Sequence, residues 1–196
     1  MLDTPFKGIV TDDDGELCGI NSTVGGKDCV LKCKAIFASP DYFPDKVEKK
    51  GDIARCYCIM NQPVMPDGKT PCESGQIIIP GAEAGKKNDI YIMWMGKSLQ
   101  VAPDGYVYCI LSTLLEGGAP DAELDAGLKL LPPRVKQFMA VDPYFEPKDD
   151  GKEEKIFLSK SYDATSHFET VSKDCLNLYE RYTGTAITLV DNSVDQ

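Results

Sequence analysis

The stretch SYDATSHFET, residues 161–170, gathers Ser161, Asp163, Ser166, His167 and Glu169 within ten positions, and His167 is the only histidine of the chain. Serine, histidine and carboxylate are the parts of a nucleophilic triad, in which the imidazole takes the hydroxyl proton and the acid orients the ring. A triad needs a presented nucleophile, and no Gly-X-Ser-X-Gly elbow occurs in the sequence. A metal site would need further histidines or carboxylates at ligand spacing. The neighbours fit a structural pattern instead. Ser166 lies three residues before Glu169, the spacing of a capping box at a helix start. Asp163 and Glu169 would add negative charge at the positive end of that helix. His167 then falls at the first helical position. We read it as structural, with a partner contact as the alternative.

The other reactive residues divide in the same way. Eight cysteines are present: Cys18, Cys29, Cys33, Cys56, Cys58, Cys72, Cys109 and Cys175. With no secretory signal ahead of them, reduced thiols are expected rather than a disulfide framework. Cys56 and Cys58 are two apart in RCYCIM, which puts them on one face of a strand as packing residues. The sharper alternative is a zinc site from Cys29, Cys33, Cys56 and Cys58, but no Cys-X-X-Cys knuckle supports it. Asp12, Asp13 and Asp14 lack the spacing of an EF-hand and read as a solvated turn. Gly25–Gly26 and Gly117–Gly118 are isolated pairs, read as turns rather than a phosphate-cradling loop. No catalytic, cofactor-binding or metal-binding residue is assigned, and no cofactor is expected.

These residues need elements to hold them. FKGIV and ELCGI flank TDDDG and predict a hairpin. CVLKCKAIFA reads as one strand, and SPDYFPDKV as a loop because its prolines interrupt any ladder. DIARCYCIM is a strand, NQPVMPDGKTPCESG a connection, and QIIIP a short buried strand. NDIYIMWMG and GYVYCILST are strands rich in β-branched and aromatic residues. Leu124, Leu128 and Leu131 form one stripe of a helix with Asp121 as N-cap and Pro132–Pro133 as its end. VKQFMAV and KIFLSKS are strands. A second helix runs from about His167 to Tyr182 and stops at Gly184. TAITLV is a last strand or extended arm. Strands dominate without regular βα alternation, so the fold class is α+β.

Bulk composition narrows the function classes. The 196 residues favour one domain or a large piece of one. Hydrophobic residues are 42% and charged residues 27%, enough to bury a core. Lys and Arg total 21 against 31 Asp and Glu, a net charge of −10 that repels phosphate backbones and anionic membrane surfaces. Nucleic-acid binding and stable membrane insertion are therefore not expected. The start, MLDTPFKGIVTDDD, has no signal-peptide pattern and the final VDQ no prenylation box, so a cytoplasmic location is expected.

Taken alone, the residues describe a soluble α+β domain with no visible catalytic site. Five blocks in order add a resemblance. CKAIFASPDYFPDKV, SGQIIIPGAEAGKKNDIYIM, GLKLLPP, FEPKDDG, and SYDATSHFET with KDCLNLYERYTGT together resemble the Rab GDP-dissociation inhibitor family, over residues 1 to about 185. The resemblance implies a non-enzymatic protein that binds prenylated, GDP-bound Rab GTPases, slows GDP release and recycles them from membranes in vesicle-mediated transport. It implies a flavoprotein-like multi-sheet domain with a C-terminal helix, used without flavin, in which Tyr162 and Phe168 anchor the signature to the core. Family members are roughly twice this length, and residues 1–196 correspond to the C-terminal part of their large domain. The half without a counterpart here carries the glycine-rich first βα turn, the prenyl-holding helices and most of the Rab-binding platform. Partner-binding residues therefore stay unassigned. Removing that half should leave sheet edges and an apolar face uncovered. The alternatives are a Rab escort protein of the same fold, which the compact loops disfavour, a flavin oxidoreductase remnant, and a non-functional truncated product.

Overall fold

The computed structural model describes residues 4–165 and 168–188. In chain order the strands are β1 (Phe6–Thr11), β2 (Leu17–Val24), β3 (Lys27–Lys32), β4 (Ile36–Ala38), β5 (Val47–Met60), β6 (Gly75–Ile79), β7 (Ile90–Met95), β8 (Val107–Leu114), β9 (Arg134–Pro147) and β10 (Ile156–Leu158). The helices are α1 (Pro120–Leu128) and α2 (Glu169–Thr183). Strands dominate, as the sequence led us to expect. The chain forms two compact units: residues 1–48, 145–161 and 171–196 make the first, and residues 49–144 and 162–170 the second.

In the first unit β1, β2 and β3 form an antiparallel meander. The expected β1–β2 hairpin is present, and its acidic turn is organised by Asp12, whose Oδ1 accepts the Asp14 and Glu16 N–H groups at 3.1 and 2.9 Å. Gly25 and Gly26 turn β2 into β3 with φ of 58° and 78°, values that favour glycine in a two-residue hairpin loop. CVLKCKAIFA is not one strand. After Lys32 the chain leaves the meander, and β4 pairs in parallel with β10 through Ile36↔Ile156, Phe37↔Phe157 and Ala38↔Leu158. That partner lies about 120 residues away, so no local pattern could announce the break. Val47, Ile156 and Leu158 form this unit's small buried cluster. Phe37 stacks on Phe157 at 5.3 Å, and Tyr182 of α2 packs edge-on to both. Helix α2 ends at Gly184, whose φ is 74° and whose N–H is bonded to the Glu180 carbonyl. Residues 185–188 form no strand, and the rest of TAITLV lies outside the described residues.

The second unit is built on a five-stranded sheet in the order β6-β7-β8-β5-β9. Period-two alternation sends Ala54, Cys56, Cys58 and Met60 of β5 to the core side, with Ile90, Ile92 and Trp94 of β7 and Val107, Cys109 and Leu111 of β8. Register locks these together: Cys58 faces Cys109, and Leu111 lies between Cys56 and Ile92. QIIIP is an edge strand rather than a buried one, since β6 alternates and Ile78 points outward half exposed. Helix α1 covers the core side. Leu124 and Leu131 are buried and Leu128 packs against the same cluster, so the leucine stripe is as read, although the helix closes at Leu128 before the prolines. Asp121 is not the N-cap. Ala119 holds that position and Pro120 takes the first helical residue, where its fixed φ suits the turn and its missing N–H costs nothing. Asp121 instead adds charge to the first turn. Gly127 lets α1 approach closely, because a Cβ there would sit 3.0–3.1 Å from Leu111, Ile90 and Ile92.

A buried carboxylate ties α1 to its loops. Glu123 accepts the Gly118 and Glu116 N–H groups at 2.9 and 3.2 Å, and Lys86 Nζ at 2.5 Å. The Lys86 bond, first, and these backbone donors hold its carboxyl below the ordinary glutamate range. The native state therefore binds fewer protons than the unfolded chain in acid. The contribution is complete above the unfolded glutamate pKa and is lost as pH falls through the lowered native value. Glu123→Gln should flatten that acid limb of the stability–pH curve, and Glu123→Ala should cost roughly 3 kcal/mol at neutral pH. Urea melts at several pH values would check both.

Candidate functional site

Alternation leaves Arg55 of β5, Ser112 of β8 and Tyr91 of β7 on the face of the sheet opposite α1, and register brings them side by side as Arg55↔Ser112 and Tyr91↔Ser112. Residues 162–165 of the signature stretch lie over this face without regular structure. Their carbonyls need donors, and the sheet supplies them. Arg55 Nη2 donates to the Tyr162 and Asp163 carbonyls at 3.2 and 2.8 Å, while Nη1 donates to Asp142 Oδ2 of β9 at 2.8 Å. Ser112 Oγ donates to the Ala164 carbonyl at 2.6 Å. Asp163 closes the segment on itself, accepting the Thr165 N–H and Oγ1–H at 3.0 and 2.5 Å.

This arrangement reassigns the signature's anchors. Tyr162 is 74% exposed and Phe168 83% exposed, so neither is a core anchor; among the described residues of the stretch Ala164, at 7%, is the buried one. The reason is that backbone hydrogen bonds, rather than ring packing, hold the segment. Ser161 belongs to the other unit, where it exchanges two hydrogen bonds with Phe145. Glu169 opens α2. Ser166 and His167, and with them the capping box, lie outside the described residues.

Beside the segment is a cavity of about 330 Å3. Ile53 and Leu114, partners across β5 and β8, make an apolar wall, and Asp89, Tyr91, Tyr144 and Asp163 supply polar groups. Burial, then the nearby Asp89 and Asp163 carboxylates, raise the Tyr91 phenol above its ordinary pKa, which keeps it a neutral donor.

The cysteines have no such setting. Cys56 and Cys58 are fully buried with their sulfurs 3.6 Å apart. Their mutual hydrogen bond and burial push the Cys56 thiol up, and burial pushes Cys109 up to about 12. Cys56 and Cys109 thereby stay protonated, and the buried trio packs as small apolar groups. Cys29 is in the first unit and Cys56 in the second. Among the described residues no three His, Cys, Asp or Glu side chains form a group that could hold a metal ion. No helix among them is long and apolar enough to cross a membrane. Arg55, Ser112 and Asp89 escaped the sequence reading. The one available signal was an arginine inside the otherwise apolar strand IARCYCIM.

The family model described as "GDP dissociation inhibitor" matches residues 1–194. A Schizosaccharomyces pombe protein named "Probable secretory pathway GDP dissociation inhibitor 1" is 41% identical over 189 residues, covering 96% of this chain and 42% of its own length. The crystal structure of Rab GDI from Plasmodium falciparum superimposes with a TM-score of 0.86 at 31% identity, over 95% of this chain and 42% of that one. The flavin-dependent brominase Bmp2 triple mutant reaches a TM-score of 0.52 at 9% identity, over 91% of this chain and 48% of its own, a likeness of fold alone. The chain thus spans less than half the length of each of these three proteins.

Arg55→Ala should release the segment without dissolving the sheet. We expect a loss of roughly 2 kcal/mol and faster amide exchange at residues 162–165, with protection at Ile92 and Leu111 retained. Hydrogen-exchange mass spectrometry of the two proteins would measure this.

Proposed function

This chain belongs to the GDP dissociation inhibitor family, and from that premise we propose that it is the C-terminal part of a Rab GDP-dissociation inhibitor. In this reading the protein binds prenylated Rab GTPases in their GDP-bound state, slows GDP release and recycles them from membranes in vesicle-mediated transport. It works in the cytoplasm and is not an enzyme. The observation that carries the reading is the match to Rab GDI, which extends over 95% of this chain at a TM-score of 0.86.

The reading also gives residues 1–196 a place, as part of a larger multi-sheet domain. Parallel strands are normally covered on both faces and belong to larger sheets. Here β4 and β10 make a two-stranded parallel sheet, and Phe37 on it is 53% exposed. The remaining length of the relatives would supply the missing strands and cover.

The test is release of labelled GDP from a prenylated Rab. The chain would be added alone and together with the N-terminal portion of the S. pombe relative. Release should slow at least in the reconstituted mixture, with a preference for GDP-loaded over GTP-loaded Rab of about tenfold or more. The added portion should also raise the melting temperature of the chain. Unchanged release in both mixtures would refute the Rab reading. Slowed release without a change in melting temperature would refute only the completed-domain reading.

A further inference from the structure

We propose that the cavity beside the signature segment receives a lysine or arginine side chain from a partner protein. This stands apart from the Rab reading, since it rests on the cavity's own chemistry.

At about 330 Å3 the cavity is at the small end of binding pockets. Its walls sort by polarity in the way a long cationic side chain requires. Ile53 and Leu114 offer apolar surface for a methylene stem. Asp89 and Asp163 offer carboxylates for the charged head. Each aspartate gives one oxygen to its own loop: Asp89 Oδ1 accepts the Gly81 N–H at 2.8 Å, and Asp163 Oδ1 accepts from Thr165. Among the described residues neither aspartate sits in an ion pair. Tyr91 hydrogen-bonds Asp89 and stays neutral, so it leaves the negative charge in place. Among the described residues Lys87 is the one cation of the lining, and it is exposed. The cavity therefore keeps net negative character, inside a chain whose net charge is −10.

The site is held in advance of binding. Arg55 and Ser112 fix the backbone of residues 162–164, which carries Asp163. A receptor of fixed shape loses less entropy when its ligand arrives. Tyr162, the chain neighbour of Asp163, presents an exposed ring of the kind that anchors protein interfaces. Charge complementarity thus favours a basic segment of a protein as the occupant.

Methyl NMR of the whole chain provides the test, with Ile53 and Leu114 as reporters. Acetyl-Gly-Arg-Gly-amide and acetyl-Gly-Lys-Gly-amide should shift both residues saturably, and less so as salt is raised. The citrulline counterpart, equal in shape but neutral, should not. Asp89→Asn and Asp163→Asn keep the loop acceptors and remove the charge; each should weaken binding about tenfold while the reporters keep their wild-type positions in the absence of peptide. The proposal is overturned by no shift with either cationic peptide, by an equal shift with citrulline, or by undiminished binding by both variants. Saturation by spermidine without a response to the peptides would assign the cavity to a free polyamine and likewise overturn it.

Discussion

The guanidinium of Arg55 is the interaction on which the second unit's exposed face depends. A charge taken largely out of water is tolerated only where its donors are matched. Here a strand carboxylate and two loop carbonyls match them. The same bonds satisfy a segment that has no ladder of its own. Placement follows from the strand pattern. Ala54, Cys56, Cys58 and Met60 claim the core side, so Arg55 must point the other way. A register slip of one residue would drive the guanidinium into the core and expose four apolar side chains. The apolar alternation of β5 and the fixing of the signature are therefore one constraint.

The two faces of that sheet are finished by similar means. On the core side Glu123 gathers backbone N–H groups and a lysine around the start of α1. On the other side Arg55 gathers carbonyls and a carboxylate. One buried anion and one nearly buried cation each organise irregular backbone that a regular element would satisfy unaided. A sheet with loops pinned this way presents a defined surface.

Strands were legible wherever period two was strong and the partner was near, as in β5, β7 and β8. The leucine stripe of α1 was legible because its positions recur at helical spacing. The split of CVLKCKAIFA was not, because β4 is defined by Lys155 and Ile156, far along the chain. Asp121 looked like a cap by residue type, and Pro120 displaced it through backbone geometry. Tyr162 and Phe168 looked like anchors because rings usually pack. In this segment the backbone is what binds, and the small Ala164 is what fits beneath. Arg55 and Ser112 could not be paired from sequence, since they become neighbours only through the β5–β8 register.

The pairing of β4 with β10 has a consequence for how the chain comes into being. During synthesis the β5–β8 ladder can form once Leu114 has left the ribosome, whereas β4 must wait for residues 156–158. Closing so long a loop is entropically expensive and slow unless the intervening chain has already collapsed. Residues 49–144 of the second unit, an insertion within the first by chain order, are positioned to fold early and shorten that search. Until then Phe37 has neither Phe157 nor Tyr182 to stack against, and the nascent segment around β4 is a natural client for chaperones.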